Sequence, residues 1–290
     1  MTDKIVQPTY KTKQVFQEDI KQNIQRILLE NYKMKKISID YIAADAARLS
    51  IPIKITGVNE KGEKLRYFGK VIGSSDILLV RYIQFLKNIY LQLNTQQPIF
   101  EIYETTEDMV RDQYEMMLAI YNSGIPAIKP YGYHLINGSQ WILIAEYLDV
   151  KPFSICEKVD SKQIDMVFKY LKKVHQKKIF HGDIKPDNIL VGDKIYILDA
   201  GHFRKDAPAA NKQSYDLACM ISSFLECQPA EEIVKIAQKY YSHRYLQAAA
   251  DYIELIQMRP DIHFNDETKQ KLLHLLKVKR RGRFRKKTSH

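Results

Sequence analysis

The 290-residue chain is poor in cysteine: Cys156, Cys219 and Cys227 stand far apart, with no CxxC pair. That spacing argues against a disulfide framework and against a zinc site, and a reducing, cytoplasmic setting is the expectation. The opening MTDKIVQPTYKTKQ is polar and mixed in charge. It lacks an apolar h-region, so no signal peptide is expected there. A long apolar run is missing too. The most apolar stretch, Ile77 to Leu93, is broken by Arg81 and Lys87 and falls short of the ~20 apolar residues a spanning helix needs. It reads as an amphipathic helix against a core, and no membrane span is expected.

What is present is an ordinary globular balance of 45% hydrophobic and 27% charged residues, long enough for two lobes with a real core. The net charge is +11, yet KVKRRGRFRKK, from Lys277 to Lys287, holds eight basic residues and no acid. Removing those eight from the +11 leaves +3 for the rest. Attraction to polyanions therefore belongs to the tail, where a salt-sensitive, sequence-independent nucleic-acid contact competes with a solvated, disordered run.

Ile20, Ile24, Ile27 and Leu28 recur at helical spacing within Val15 to Lys36, an amphipathic helix packed on the elements after it. A β-rich region comes next, with a strand over Ile37 to Ala43. IPIKITGV and KLRYFGKVI flank Asn59-Glu60-Lys61-Gly62 as a hairpin. Helices are expected from Asp76 to about Leu93 and from Glu107 to Asn122, the second stopped by Gly124 and Pro126. Strands over Tyr131 to Leu135 and Trp141 to Ala145 surround Asn137-Gly138. A helix over Gln163 to Gln176 precedes NILV and KIYILDAG, which pair across Gly192-Asp193, and helices fill the remainder. This reads as an α+β chain: a helical extension over 1–36, a β-rich lobe over 37–148, a compact, mainly helical lobe over 149–276, and the basic tail 277–290.

The densest chemistry is His-Gly-Asp-Ile-Lys-Pro-Asp-Asn over 181–188, read with Asp199-Ala200-Gly201. Phosphoryl transfer needs an oriented nucleophile, metal ions on the phosphates, and positive charge at the developing oxyanions. Asp183 can orient or deprotonate a hydroxyl, Asn188 can offer an amide oxygen to magnesium, and Asp199 can bridge a metal to phosphates. The plain alternative is a polar loop between a helix and a hairpin.

These residues resemble the protein-kinase superfamily, whose catalytic loop and D-x-G follow the same order. The resemblance implies a bilobal protein-kinase-like fold, ATP and Mg²⁺ as cofactors, and a set of roles. Asp183 would be the catalytic base, Lys185 the contact to the γ-phosphate, Asn188 and Asp199 the metal ligands, and His181 a support of the loop. Lys70 in YFGKVI would hold the α- and β-phosphates. Its helix partner would be Glu115, with Gln113 and the Asp112 region as alternatives. Glu146 and Leu148 backbone groups would meet adenine, with Ala145 behind it. Asp216 would brace the catalytic loop from below, against a plain N-cap role for that carboxylate.

Four features depart from the superfamily pattern. Gly182 stands where an arginine usually precedes the aspartate, and D-A-G-H replaces D-F-G. Asp216 follows Asp199 by only 17 positions, with no convincing A-P-E. No glycine-rich loop precedes Lys70, and the cover over the phosphates is expected from Ala43 to Ser50, AADAARLS. The His-Gly-Asp triplet and short segment resemble atypical kinases: the RIO kinases, the small kinase of the KEOPS tRNA-modification complex, and the aminoglycoside and choline kinases. Lys185-Pro186 resembles Ser/Thr protein kinases instead. Three functions are compatible with this pattern: an atypical Ser/Thr protein kinase with a protein substrate, a small-molecule kinase, and an ATP-binding scaffold or ATPase assisting an RNA- or ribosome-associated complex.

Overall fold

A computed structural model describes residues 10–42, 50–155 and 160–278. The expected phosphate-covering loop, apart from Ser50, and the basic run beyond Val278 lie outside the described residues. The described residues divide into two compact units, one drawn from residues 10–89 and 100–149, the other from residues 90–99 and 150–278.

The first unit is built on a five-stranded antiparallel sheet. Its strands are β1 (Lys35–Tyr41), β2 (Ile51–Val58), β3 (Lys64–Ile72), β4 (Pro130–Asn137) and β5 (Gln140–Glu146), in spatial order β1-β2-β3-β5-β4. The β2–β3 turn closes as the sequence leads one to expect. Asn59 Oδ1 accepts from the Lys61 and Glu63 N–H groups, both at 2.9 Å. Gly62 takes the left-handed φ of +81° that L side chains adopt only at a cost.

Helix α1 (Tyr10–Tyr32) lays Ile20, Ile24, Ile27 and Leu28 into one core with Ile39, Ile53, Ile55, Val71, Ile142 and Ile144 of the sheet. Alternation along β3 therefore sends Leu65, Tyr67 and Val71 toward α1 and Lys70 to the opposite face. Helix α3 (Thr106–Asn122) packs on β4 and β5. It starts where the Thr105 hydroxyl caps the Asp108 N–H.

Helix α2 (Ser74–Leu93) has the expected two faces: it buries Ile77, Val80, Gln84, Asn88 and Leu91 along one and exposes Leu78, Leu79, Tyr82, Phe85 and Leu86 on the other. Asn88 turns inward because its amide satisfies a neighbouring backbone: Nδ2 donates to the Phe100 carbonyl at 2.9 Å, and Oδ1 accepts from the Phe100 N–H at 3.1 Å. A buried backbone pair left unmet costs more than a solvated leucine. Among the described residues no helix is long and apolar enough to cross a membrane.

The second unit is mainly helical. A small antiparallel sheet of β6 (Lys151–Pro152), β7 (Ile189–Val191) and β8 (Ile195–Ile197) carries the expected hairpin, with Ile189 opposite Ile197. Helix α4 (Ser161–Gln176) begins with a capping box of Asp160 and Gln163 and buries Ile164, Val167, Phe168, Leu171 and Val174. Helix α5 (Ala209–Ser222) is buried all round from Ser214 onward. It is the internal post of the unit. Helices α6 (Ala230–Ala237), α7 (His243–Ala250), α8 (Ile253–Gln257) and α9 (Asp266–Lys277) complete it.

Candidate active site

In the sheet unit, Lys70 stands on β3 and its Nζ lies 3.5 Å from Gln113 Oε1 on α3. Gln113 is 4% exposed. Glu115, two residues on, stands exposed, because two helical residues subtend about 200°. The geometry thus sets Gln113, one of the sequence alternatives, against the lysine. Asp112 accepts from the Tyr103 hydroxyl. Gln113→Ala is expected to weaken nucleotide binding about fivefold, the worth of one modest hydrogen bond; titration with a fluorescent ATP analogue checks it.

At the end of β5, Ala145 is fully buried and pairs with Phe68. Glu146 and Leu148 are half-buried. The Glu146 N–H already donates to the Lys129 carbonyl at 2.8 Å.

The helical unit gathers residues 181–188 and Asp199. The loop hangs from Asp216 on α5, a side chain with no exposure. Its Oδ2 accepts from the His181 N–H at 2.6 Å and its Oδ1 from the Gly182 N–H at 2.8 Å. His175 Nε2 lies 3.2 Å from the same carboxylate, and the Tyr241 hydroxyl lies 2.9 Å from His175 Nδ1. A buried carboxylate is tolerable only with such partners. Asp216 is therefore the brace the sequence suggested, not a helix cap, since Pro208 occupies the N-cap of α5.

His181 joins the loop to the next strand. Its Nε2 lies 2.8 Å from the Leu198 carbonyl, and its Nδ1 lies 3.2 Å from the Asp183 N–H. A carbonyl only accepts, so Nε2 carries the proton and Nδ1 receives one, which is the neutral ring. Burial pushes the His181 pKa down, against the pull of Asp216 and Asp183. Between that lowered value and the ordinary ~6.5, the unfolded chain takes up a proton that the folded chain refuses. Stability is therefore full above pH ~6.5 and falls with pH below it, by up to about 1.4 kcal/mol per pH unit. The melting midpoint should drop more between pH 7 and 5 in the wild type than in His181→Gln.

Asp183 and Asn188 meet at the loop's working end. Asn188, 5% exposed, directs Nδ2 to the Asp183 carbonyl at 2.8 Å, to Asp183 Oδ2 at 3.3 Å and to the Asp199 carbonyl at 3.4 Å. Its amide nitrogen is committed to the loop, so the amide oxygen is the side-chain atom that can ligate. Lys185 Nζ lies 3.5 Å from both Asp183 Oδ2 and Asp261 Oδ2. Asp183, first among these charges, drives the lysine pKa well up, so Lys185 stays cationic. Asp199 sits at φ +53°, His202 at +81° and Gly201 at +139°. Such backbone is costly outside glycine and marks a segment held by its surroundings. The Gly201 N–H donates to the His181 carbonyl at 2.7 Å, tying this segment to the catalytic loop.

Gly182 explains itself here. At φ +81°, a Cβ on it would lie 2.0 Å from the Gly201 carbonyl oxygen. No side chain fits, arginine included. One residue that the sequence did not point to belongs to this cluster: Arg259, whose Nη2 lies 2.9 Å from Asp183 Oδ1.

A carboxylate such as Asp199 and an amide oxygen such as that of Asn188 are hard oxygen donors, the chemical kind that suits Mg²⁺ when phosphate oxygens and water complete its shell.

No family model matches the chain. Among solved structures, it is similar to a protein assigned as a fructosamine-3-kinase from Haemophilus somnus 129PT, at 11% identity and a TM-score of 0.48, over 90% of this chain and 98% of that one. It is also similar to a single-substitution mutant of the PknI kinase domain of Mycobacterium tuberculosis, at 10% identity and a TM-score of 0.44, over 83% of this chain and 96% of that one.

Proposed function

We propose that the protein is an ATP- and Mg²⁺-dependent phosphotransferase, and that its acceptor is a protein serine or threonine hydroxyl. The observation that carries the reading is the loop itself. Asp183, Lys185 and Asn188 stand within 3.5 Å of one another's working atoms or bridging partners, on a backbone clamped to buried Asp216. Preorganised charge of this kind is what phosphoryl transfer asks of a protein. Magnesium, when bound by Asn188 and Asp199, supplies neutralisation of phosphate charge. Asp183 accepts the hydrogen bond of the acceptor hydroxyl and aims it. Lys185 offers fixed positive charge to the transferred group. Lys70, held by Gln113, supplies charge for the α- and β-phosphates, and backbone groups at Glu146 and Leu148 supply the adenine contacts.

The choice of a protein acceptor rests on Lys185, which the sequence shares with Ser/Thr kinases. A small-molecule acceptor is the second reading, favoured by the short segment from Asp199 to Asp216. The test is transfer of labelled γ-phosphate from ATP with Mg²⁺. Label is scored on the protein itself, on a generic basic protein, and as inorganic phosphate. Label on protein supports the first reading. Phosphate release alone moves the assignment to a small-molecule kinase or an ATPase. Nucleotide binding without any turnover leaves a nucleotide-binding scaffold, for which the basic tail is the natural nucleic-acid contact.

A further inference from the structure

Arg259 lies 76 positions from Asp183 in the sequence, in the turn after α8. Its side chain is 6% exposed, and all five guanidinium N–H groups are accounted for. Nε donates to Asp261 Oδ1 at 2.8 Å, and Nη2 donates to Asp261 Oδ2 at 2.8 Å and to Asp183 Oδ1 at 2.9 Å. Nη1 points at the Tyr215 hydroxyl, 3.3 Å away, and at Cys219 Sγ, 3.6 Å away. A planar fork with every donor engaged has one orientation. Asp261 grips one edge, α5 supports the other through Tyr215 and Cys219, and the corner between them holds the carboxylate of Asp183.

The same helix therefore fixes Asp183 twice. Asp216 of α5 holds the backbone before it, and Tyr215 and Cys219 of α5 seat the arginine that holds its side chain. We propose that Arg259 is a positioning residue for phosphoryl transfer: it pins Oδ1 of Asp183 and thereby presents Oδ2, on the Lys185 side, to the acceptor hydroxyl. The inference rests on the phosphotransferase reading and adds to it a division of labour within one carboxylate. Oδ1 is structural and Oδ2 is the oxygen that meets the acceptor. It also means that Asp183 works by aiming the hydroxyl. A loose transfer transition state demands little of a base.

The test is a double-mutant cycle on Mg²⁺-dependent turnover of labelled ATP by the full chain, scored as label on protein plus phosphate released. Arg259→Met is expected to lower kcat about 10- to 100-fold, with KM for ATP changed less than about threefold, because aim is lost and nucleotide contacts are kept. Introduced into Asp183→Asn, the same change should lower the residual rate less than about threefold, since its effect runs through the carboxylate already removed. Arg259→Lys should recover part of kcat, as one ammonium restores charge without the fork. A purely architectural arginine would instead give losses that multiply, with KM and melting midpoint moving together. If Arg259→Met does not fold, Asp261→Asn stands in. It loosens the guanidinium from its far edge, and its kcat loss should likewise vanish in Asp183→Asn. Multiplying losses, or a folded Arg259→Met with kcat within about twofold of wild type, overturn the proposal while wild-type transfer leaves the phosphotransferase reading in place. Absence of Mg²⁺-dependent turnover in the wild type overturns the phosphotransferase reading, and this proposal with it.

Discussion

Asp199→Ala should lose both Mg²⁺-dependent ATP binding and turnover, whereas Asp183→Asn should keep the nucleotide and lose turnover alone. The two carboxylates belong to one cluster but meet different partners. Asp199 sits on a segment at positive φ and, with the Asn188 amide oxygen, makes the hard-oxygen pair proposed for the metal. Removing it deletes the one anionic ligand of that pair, and a small dication with one neutral protein donor is held poorly. ATP affinity with Mg²⁺ should then fall at least about tenfold, toward the value measured with EDTA. Asp183 is instead held by Arg259 and Lys185. Its conversion to asparagine keeps the shape and removes the charge that aims the acceptor, a loss on the order of 10²-fold in rate. Equilibrium titration with and without Mg²⁺, beside transfer of labelled phosphate, separates the two. If both variants turn over at the wild-type rate, the site is elsewhere.

Gly182→Ala should be the most damaging single methyl in the molecule. Two costs add there. The backbone sits at φ +81°, and a Cβ would stand 2.0 Å from the Gly201 carbonyl oxygen. That oxygen belongs to the segment tied to His181 by the 2.7 Å Gly201 hydrogen bond. Left-handed backbone alone costs an alanine about 1–2 kcal/mol, and displacing fixed backbone raises the total to roughly 3 kcal/mol or more. The melting midpoint should fall by roughly 6–12 °C, and turnover should go with it, because the shift separates the Asp183 loop from Asp199. Gly62 provides the control: its φ is also +81°, but a Cβ there meets nothing within 4 Å. Gly62→Ala should show the strain cost only and leave turnover unchanged. Equal effects from the two alanines would refute the close approach at Gly182.

The conspicuous absence of an arginine at position 182 thereby has a steric reason. The sequence displayed Gly182 as a departure from a pattern, and only the packing of two backbone segments says why. The same division recurs elsewhere. Residues 181–188 and Asp199 could be read directly because they lie close together in the chain and their spacing is the geometry: five positions from Asp183 to Asn188, one hairpin to Asp199. The helix and strand order was legible for a similar reason. Ile164, Val167, Phe168, Leu171 and Val174 repeat with the period of a helix, and they are the buried face of α4.

Other features were settled by contacts that no local pattern encodes. Period alone does not say which side of α3 meets β3; the phase of the helix on the sheet is what brings Gln113 Oε1 to 3.5 Å from Lys70 Nζ. On α2, periodicity says that one face is buried but not what it meets: Asn88 stands on that face among Ile77, Val80 and Leu91, and its amide pairs with the backbone of Phe100, twelve positions beyond. Arg259 carried no signal at all. A lone arginine before a proline has neither period nor motif, and its meaning arises only where the turn after α8 meets Asp183, across 76 positions of chain. What the sequence determined by itself was the local grouping of Asp183, Lys185 and Asn188, since the 181–188 loop is short enough for spacing to set geometry. Which side chains hold that loop in place was decided by tertiary structure, because buried charges and backbone groups take whatever partner the folded chain brings within hydrogen-bonding distance.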